Sequence, residues 1–146
     1  MKQKGSVNER AFRELVETGP SPGLLAYAGH QPIGWCALAP RSDYPRLAKS
    51  RILKPVDEQP VWSITCFFVA RPYRRKGLSA SLLEQAAHFA ARHGARILEG
   101  YPCEAKTGYP DVFYYTGLAN AFRKAGFREV ARRSPHRPIM RRVLKR

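Results

Sequence analysis

Val69-Ala70-Arg71-Pro72-Tyr73-Arg74-Arg75-Lys76-Gly77-Leu78-Ser79 is the stretch from which the rest of the chain can be read. Before it, Val61 to Val69 is a run of strand formers. After it, Leu78 to Arg92 carries apolar residues at helical spacing. A strand that feeds a basic, glycine-containing turn and then a helix builds a site for an anion. The first backbone N–H groups of a helix have no partners within it, and the peptide dipoles add partial positive charge there. Arg74, Arg75 and Lys76 bring full positive charges to the same spot, and Gly77 has no Cβ to hold a phosphate off the backbone. The arrangement fits a diphosphate. The plainer alternative is a solvated basic turn between strand and helix.

Composition bounds the rest. With 146 residues the chain is one domain, residues 1–146, large enough for a real core and too short for two ordinary ones. Lys and Arg number 26 against 11 Asp and Glu, a formal net charge of +15. Such a surface attracts polyanions of every kind, so charge alone names no partner. No apolar run reaches the length of a membrane span, and Met1-Lys2-Gln3-Lys4-Gly5-Ser6 has no apolar core for a signal peptide. Cys36, Cys66 and Cys103 are odd in number and show no Cys-x-x-Cys spacing. Reduced thiols in a cytoplasmic protein are the expectation. His88 and His93 are five apart, not the four that would stack two ligands on one helix face, and no zinc spacing occurs. No metal is expected.

In chain order, Asn8 to Glu17 places Ala11, Phe12, Leu15 and Val16 on one helical face, with Thr18-Gly19-Pro20 as the stop. Leu24 to Ala28 and Ile33 to Ala39 read as strands joined by a hairpin at Gly29-His30-Gln31-Pro32. Pro40 to Pro60 is a long connection with a short helix near Arg46 to Ser50, either a binding loop or a solvated basic excursion. Along Val61 to Val69, strict alternation puts Trp62, Ile64, Cys66 and Phe68 on one face, and Val61, Ser63, Thr65, Phe67 and Val69 on the other. The helix after the loop buries Leu78, Leu82, Leu83, Ala86, Ala87 and Ala90 and ends at His93-Gly94. Ile97 to Tyr101 is a strand, Leu118 to Ala125 a short helix closed by Gly126, and Phe127 to Ala131 and Pro138 to Leu144 the last two strands.

At Arg74-Arg75-Lys76-Gly77-Leu78-Ser79 the chain resembles the acyl-coenzyme A motif of the GNAT superfamily of N-acetyltransferases, Arg or Gln-x-x-Gly-x-Gly or Ala, with Val69 five residues ahead and Pro72-Tyr73 where the family has Pro and an aromatic. Ser79 stands where Gly or Ala is usual. Lys124-Ala125-Gly126-Phe127 is similar to the Lys-x-Gly-Phe that closes the family's late helix. The resemblance covers about residues 8–144. It implies an α/β (α+β) fold: a mixed, mostly antiparallel central sheet flanked by helices. The family's usual first strand and helix have no counterpart ahead of Asn8, so the sheet edge needs another cover, for which a second copy of the chain is one candidate.

The resemblance further implies direct acetyl transfer from acetyl-CoA to a primary amine. Arg74, Arg75, Lys76, Gly77, Leu78 and Ser79 would anchor the coenzyme. Phe67, Phe68 and Val69 would run beside its pantetheine arm and offer a backbone N–H to the thioester carbonyl, as an oxyanion hole does. An amine of pKa about 10.4 is neutral in only roughly one molecule per few thousand at pH 7, so a base is useful. Glu99 is the candidate, and its other reading is a strand-end carboxylate paired with an arginine. The family's usual acid, a tyrosine in the late helix, is replaced by Phe122. Tyr115, or Tyr114, is the remaining candidate for protonating the leaving thiolate. Two further functions stand beside the transferase: an acetyl-CoA-binding protein that has lost catalysis, and a basic nucleic-acid-binding module. The last is disfavoured because the cations are spread rather than striped and no RNA-binding motif occurs.

Overall fold

A computed structural model of the chain describes residues 22–74, 76–108 and 115–145. The helix expected at Asn8 to Glu17, the question of what precedes the sheet, Arg75 and Tyr114 all lie outside these residues. Among the described residues six strands form one sheet: β1 (Gly23–Ala28), β2 (Gln31–Pro40), β3 (Trp62–Val69), β4 (Ile97–Gly100), β5 (Arg128–Arg132) and β6 (Pro138–Val143). Their order is β1-β2-β3-β4-β6-β5, antiparallel throughout except for the parallel β3·β4 pair. The helices are α1 (Pro45–Lys49), α2 (Leu78–Arg92) and α3 (Ala119–Lys124). The first hairpin is tighter than expected. β2 already includes Gln31 and Pro32, because Gly29 at φ 61° lets the chain reverse within Gly29-His30.

α2 is the crossover between the two parallel strands, and its apolar stripe lies on one face of the sheet. Leu82, Leu83, Ala86, Ala87 and Ala90 pack with Cys36, Leu38, Ile64, Phe67, Leu98 and Met140 in a single core. Each leucine so buried contributes about 1.5–3 kcal/mol. The helix stops where its sequence predicts. Gly94 takes φ 88°, and the Ala95 N–H reaches back to the Ala90 carbonyl at 3.0 Å.

Strict alternation fails along β3. Ala37 pairs with Cys66 but Leu38 pairs with Ile64, so Thr65 is an extra residue opposite β2. The bulge reverses the parity of everything after it. Trp62, Ile64, Phe67 and Val69 turn toward the α2 core, while Cys66 stays half-buried and Phe68 is 55% exposed. Phe67 and Phe68 thus exchange the faces that the sequence assigns them.

The connection after β2 covers the other face. Leu98 and Met140 face α2, so their neighbours Glu99 and Arg141 face away from it, and residues 41–60 lie over them. Arg41 donates to the carbonyls of Leu47 and Leu53, and Arg133 to those of Lys54 and Pro55. The segment is a strap fastened to the sheet by arginines, although most of its residues remain exposed.

Candidate functional site

The site is built where β3 outruns β4. The two strands pair only at Trp62–Leu98, Ser63–Glu99 and Ile64–Gly100, and β3 continues alone to Val69. Beyond Gly100 the space between them is a wedge occupied by residues 115–118. Cys103 donates to the Gly117 carbonyl at 2.9 Å and accepts from Ala119 at 2.9 Å. The Phe67 N–H donates to the Tyr115 carbonyl at 2.5 Å. Of the three residues whose backbone the resemblance sets beside a thioester, Phe67 has its amide aimed into this wedge, where a peptide carbonyl already accepts from it.

From Val69 the chain passes through a short 3-10 turn, Arg71–Tyr73, into the loop. Arg74 is drawn back over the strand end, with its Nε donating to the Val69 carbonyl at 2.8 Å. Gly77 caps α2 at φ 80°, ψ 6°, a left-handed conformation that only glycine adopts without strain, and a Cβ there would project into open space. No side chain caps the helix, and its first internal bond runs from the Ser81 N–H to Gly77. The amides of Leu78, Ser79 and Ala80 are thus the open donors of the helix start. Exposed Lys76 stands beside them. Phe68, Val69, Arg74, Lys76, Gly77, Leu78 and Ser79 follow one another from the wedge to the helix start, with the Phe67 ring buried beneath them, an order suited to an extended chain ending in a diphosphate.

Glu99 has a different environment. It is fully buried, and its carboxylate accepts from Arg41 Nη1 at 2.8 Å, Arg141 Nε at 2.6 Å and the Tyr101 hydroxyl at 2.6 Å. Tyr101 also contacts Ser63 Oγ at 2.7 Å and accepts from Arg41 at 2.7 Å. Burial first, and then the Glu99 charge, push the Tyr101 hydroxyl far above its ordinary range, so it stays protonated. Arg141 carries the network outward to Asp57 at 2.8 Å. The Arg141 hydrogen bond holds the Asp57 carboxyl down to about 2. With both oxygens of Glu99 committed, the geometry favours the paired-carboxylate role over that of a free base.

Tyr115 stands at the mouth of the wedge and is 58% exposed. Phe122 is buried and edge-on to both Phe67 and Phe127, with ring centroids 5.8 Å and 4.9 Å away. It fills a slot between Gly100 and Gly117, where an added Cβ would lie 2.2 Å and 2.7 Å from its ring. At this position the ring serves packing. Sequence reasoning missed Arg41, Ser63, Tyr101 and Arg141 as a unit. Their only local signal is the out-facing parity of Glu99 and Tyr101 on an otherwise buried strand. Among the described residues no group of metal-ligating side chains occurs, and no helix is long and apolar enough to cross a membrane.

Comparison with known proteins bears on this geometry. Residues 2–105 match a family model described as acetyltransferase (GNAT) family. A solved structure from Desulfovibrio desulfuricans, described as a GNAT-family acetyltransferase, superposes with a TM-score of 0.61 at 18% identity, over 98% of this chain and 82% of that one. Ard1 from Thermoplasma volcanium gives 0.57 at 12% identity, over 94% and 80%. An aminoglycoside 6'-N-acetyltransferase from Acinetobacter haemolyticus gives 0.55 at 20% identity, over 88% and 77%. At these identities the likeness speaks to the fold alone. No curated protein sequence matches the chain.

Proposed function

This chain belongs to the GNAT family of acetyltransferases, and from that premise we propose that it moves an acetyl group from acetyl-CoA directly to a primary amine, in the cytoplasm. The observation that carries the reading is the continuity between the uncapped start of α2, with Lys76 and Arg74 beside it, and the unpaired end of β3. The coenzyme's diphosphate would lie on the Leu78–Ala80 amides, with Gly77 leaving the approach open. Its pantetheine arm would run along Phe67, Phe68 and Val69 and displace the Tyr115 carbonyl from the Phe67 N–H, which then polarises the thioester. The amine attacks the thioester carbon, the carbonyl oxygen takes the negative charge, and collapse expels the coenzyme thiolate. Much of the acceleration is positional, since two bound reactants react as one.

In this reading Glu99 orders the strap and water removes the amine proton. Tyr115, exposed at the mouth of the wedge, protonates the thiolate. Among the described residues β1 is the first strand of the sheet, and a second copy of the chain extending that edge belongs to the same proposal, tested by sedimentation. Calorimetry with acetyl-CoA followed by a thiol-release screen across a panel of amines tests the function. Binding with release supports it. Tight binding without release from any amine would favour an acetyl-CoA-binding protein, consistent with the buried Phe122. A silent titration would end the proposal. Tyr115→Phe separates the acid step: kcat falls several-fold if the hydroxyl is the donor and is unchanged if water serves.

A further inference from the structure

Arg137 lies in the turn between β5 and β6, where its N–H bonds to the Ser134 carbonyl at 3.1 Å. Its side chain leaves that turn, and Nη2 donates to the Tyr101 carbonyl at 3.1 Å. The direction of that carbonyl follows from the alternation of an extended chain. On the β6 side of the β4 segment, Arg96 accepts from Leu144 at 2.8 Å and Glu104 donates to His136 at 2.9 Å. Gly100, paired with Met140, lies in the same register. On the opposite side Cys103 bonds to Gly117 and Ala119. Tyr101 shares the parity of Cys103, so its carbonyl faces the wedge. The head of Arg137 has therefore crossed from the hairpin to the space flanked by the Phe67 N–H.

Arg137 also differs from most of the arginines around it, and from Arg133, whose bonds go to the carbonyls of Lys54 and Pro55, in its buried Nε. Arg41 and Arg141 meet Glu99, Arg142 meets Glu84, and Arg123 and Arg132 meet Glu104. Arg137 meets no carboxylate among the described residues. Its Nε is buried without a hydrogen-bond partner, a state that forfeits the hydration of a charged donor with no return. A guanidinium so placed is a planar fork suited to the oxygens of a carboxylate or phosphate.

We propose that Arg137 is a specificity-determining residue for the acceptor, receiving the carboxylate or phosphate of a primary amine whose anionic group lies some distance from the reacting nitrogen. With residues 115–118 lying between the two chains, up to two strand spacings of about 4.8 Å and two residues of about 3.3 Å separate the Phe67 N–H from the Arg137 head, a span on the order of 10 Å. The inference rests on the transferase reading and adds the class of acceptor to it.

The test uses 4-aminobutyrate, 6-aminohexanoate and 8-aminooctanoate, the three matching ω-amino amides, and 4-aminobutyl phosphate, all with acetyl-CoA. The wild-type protein should favour an anionic acceptor over its neutral counterpart about tenfold in kcat/KM, with preference rising toward the longer chains. Arg137→Gln should bring that ratio near one, through KM rather than kcat, and Arg137→Lys should restore part of it. The phosphate probe decides which oxyanion is preferred. Turnover without an anionic preference in the wild type, or a preference kept in Arg137→Gln, overturns the inference alone. So does a loss confined to the KM of acetyl-CoA, which would assign Arg137 to the donor. Failure of acetyl-CoA to bind overturns the transferase reading and this inference with it.

Discussion

The two ends of β3 are in opposite states. At its start, Ser63 and its neighbours Glu99 and Tyr101 are enclosed, and each polar atom has a fixed partner. At its end, β4 has stopped, the Phe67 amide holds a loop carbonyl, and the helix beyond Gly77 opens with uncapped donors. The first end is satisfied by the chain itself and can only lose by change. The second is satisfied provisionally, and a ligand with the right oxygens can improve on it. In the proposed reading, buried charge serves structure in this protein, while unspent donors mark the place for chemistry. That ordering runs against the habit of looking for the catalytic carboxylate first.

The sharpest way to break the contrast is Glu99→Gln. Arg41 and Arg141 would keep their places but lose the charge between them, a cost of about 3–5 kcal/mol. A chain of this size should melt about 10 °C lower by circular dichroism. Residual activity should keep its pH–rate profile. A loss concentrated at low pH, with the melting point unmoved, would make Glu99 the base after all.

Gly100→Ala comes next. Its Cβ would lie 2.2 Å from the Phe122 ring, at the point where the wedge begins. Overpacking should cost about 1–3 kcal/mol, read from the urea midpoint, and adding Phe122→Leu should recover part of it. Full stability in the single variant would mean that Phe122 does not fill this slot.

At the open end the effects should appear in binding. Lys76→Gln should raise the KM for acetyl-CoA about tenfold at low salt, equivalent to about 1.4 kcal/mol, with little change in melting temperature. The difference should shrink in high salt, where the screening length falls from about 10 Å at 0.1 M to about 3 Å at 1 M. A salt-independent effect would place the charge away from the phosphates.

The smallest effect concerns the exposed edge of the strap. Asp57 has its carboxyl lowered by Arg141 from 3.8 to about 2. A group depressed on folding stabilises the protein above its unfolded pKa, and that contribution disappears as pH falls through the window from about 4 to about 2. Wild type and Asp57→Asn should therefore differ slightly in melting temperature at pH 6 and converge near pH 2. A constant difference across that range would deny the ion pair any role.

Much of the fold was readable because its signals are local. The apolar period of α2, the Gly94 stop, the glycine of the anion loop and the late Gly126-Phe127 closure each depend on residues within a few turns of one another. The faces of Phe67 and Phe68 were not readable, because an extra residue at Thr65 leaves no mark in the composition of a strand already rich in apolar residues. Glu99 could be placed on its strand, yet its role turns on Arg41 and Arg141, which lie 58 and 42 residues away.

By itself, then, the order of residues determined the strand, the basic turn and the helix that follow one another around Gly77, and with them the family to which the chain belongs. Short-range sterics and dipoles suffice for that. Only the folded chain decided that Glu99 is spoken for, that a loop carbonyl holds the Phe67 amide, and that Arg137 reaches across β4 with a donor unspent. Those outcomes depend on which distant groups meet in a place without water, where each polar atom must find a partner or remain costly, and pairing of that kind has no period along the chain.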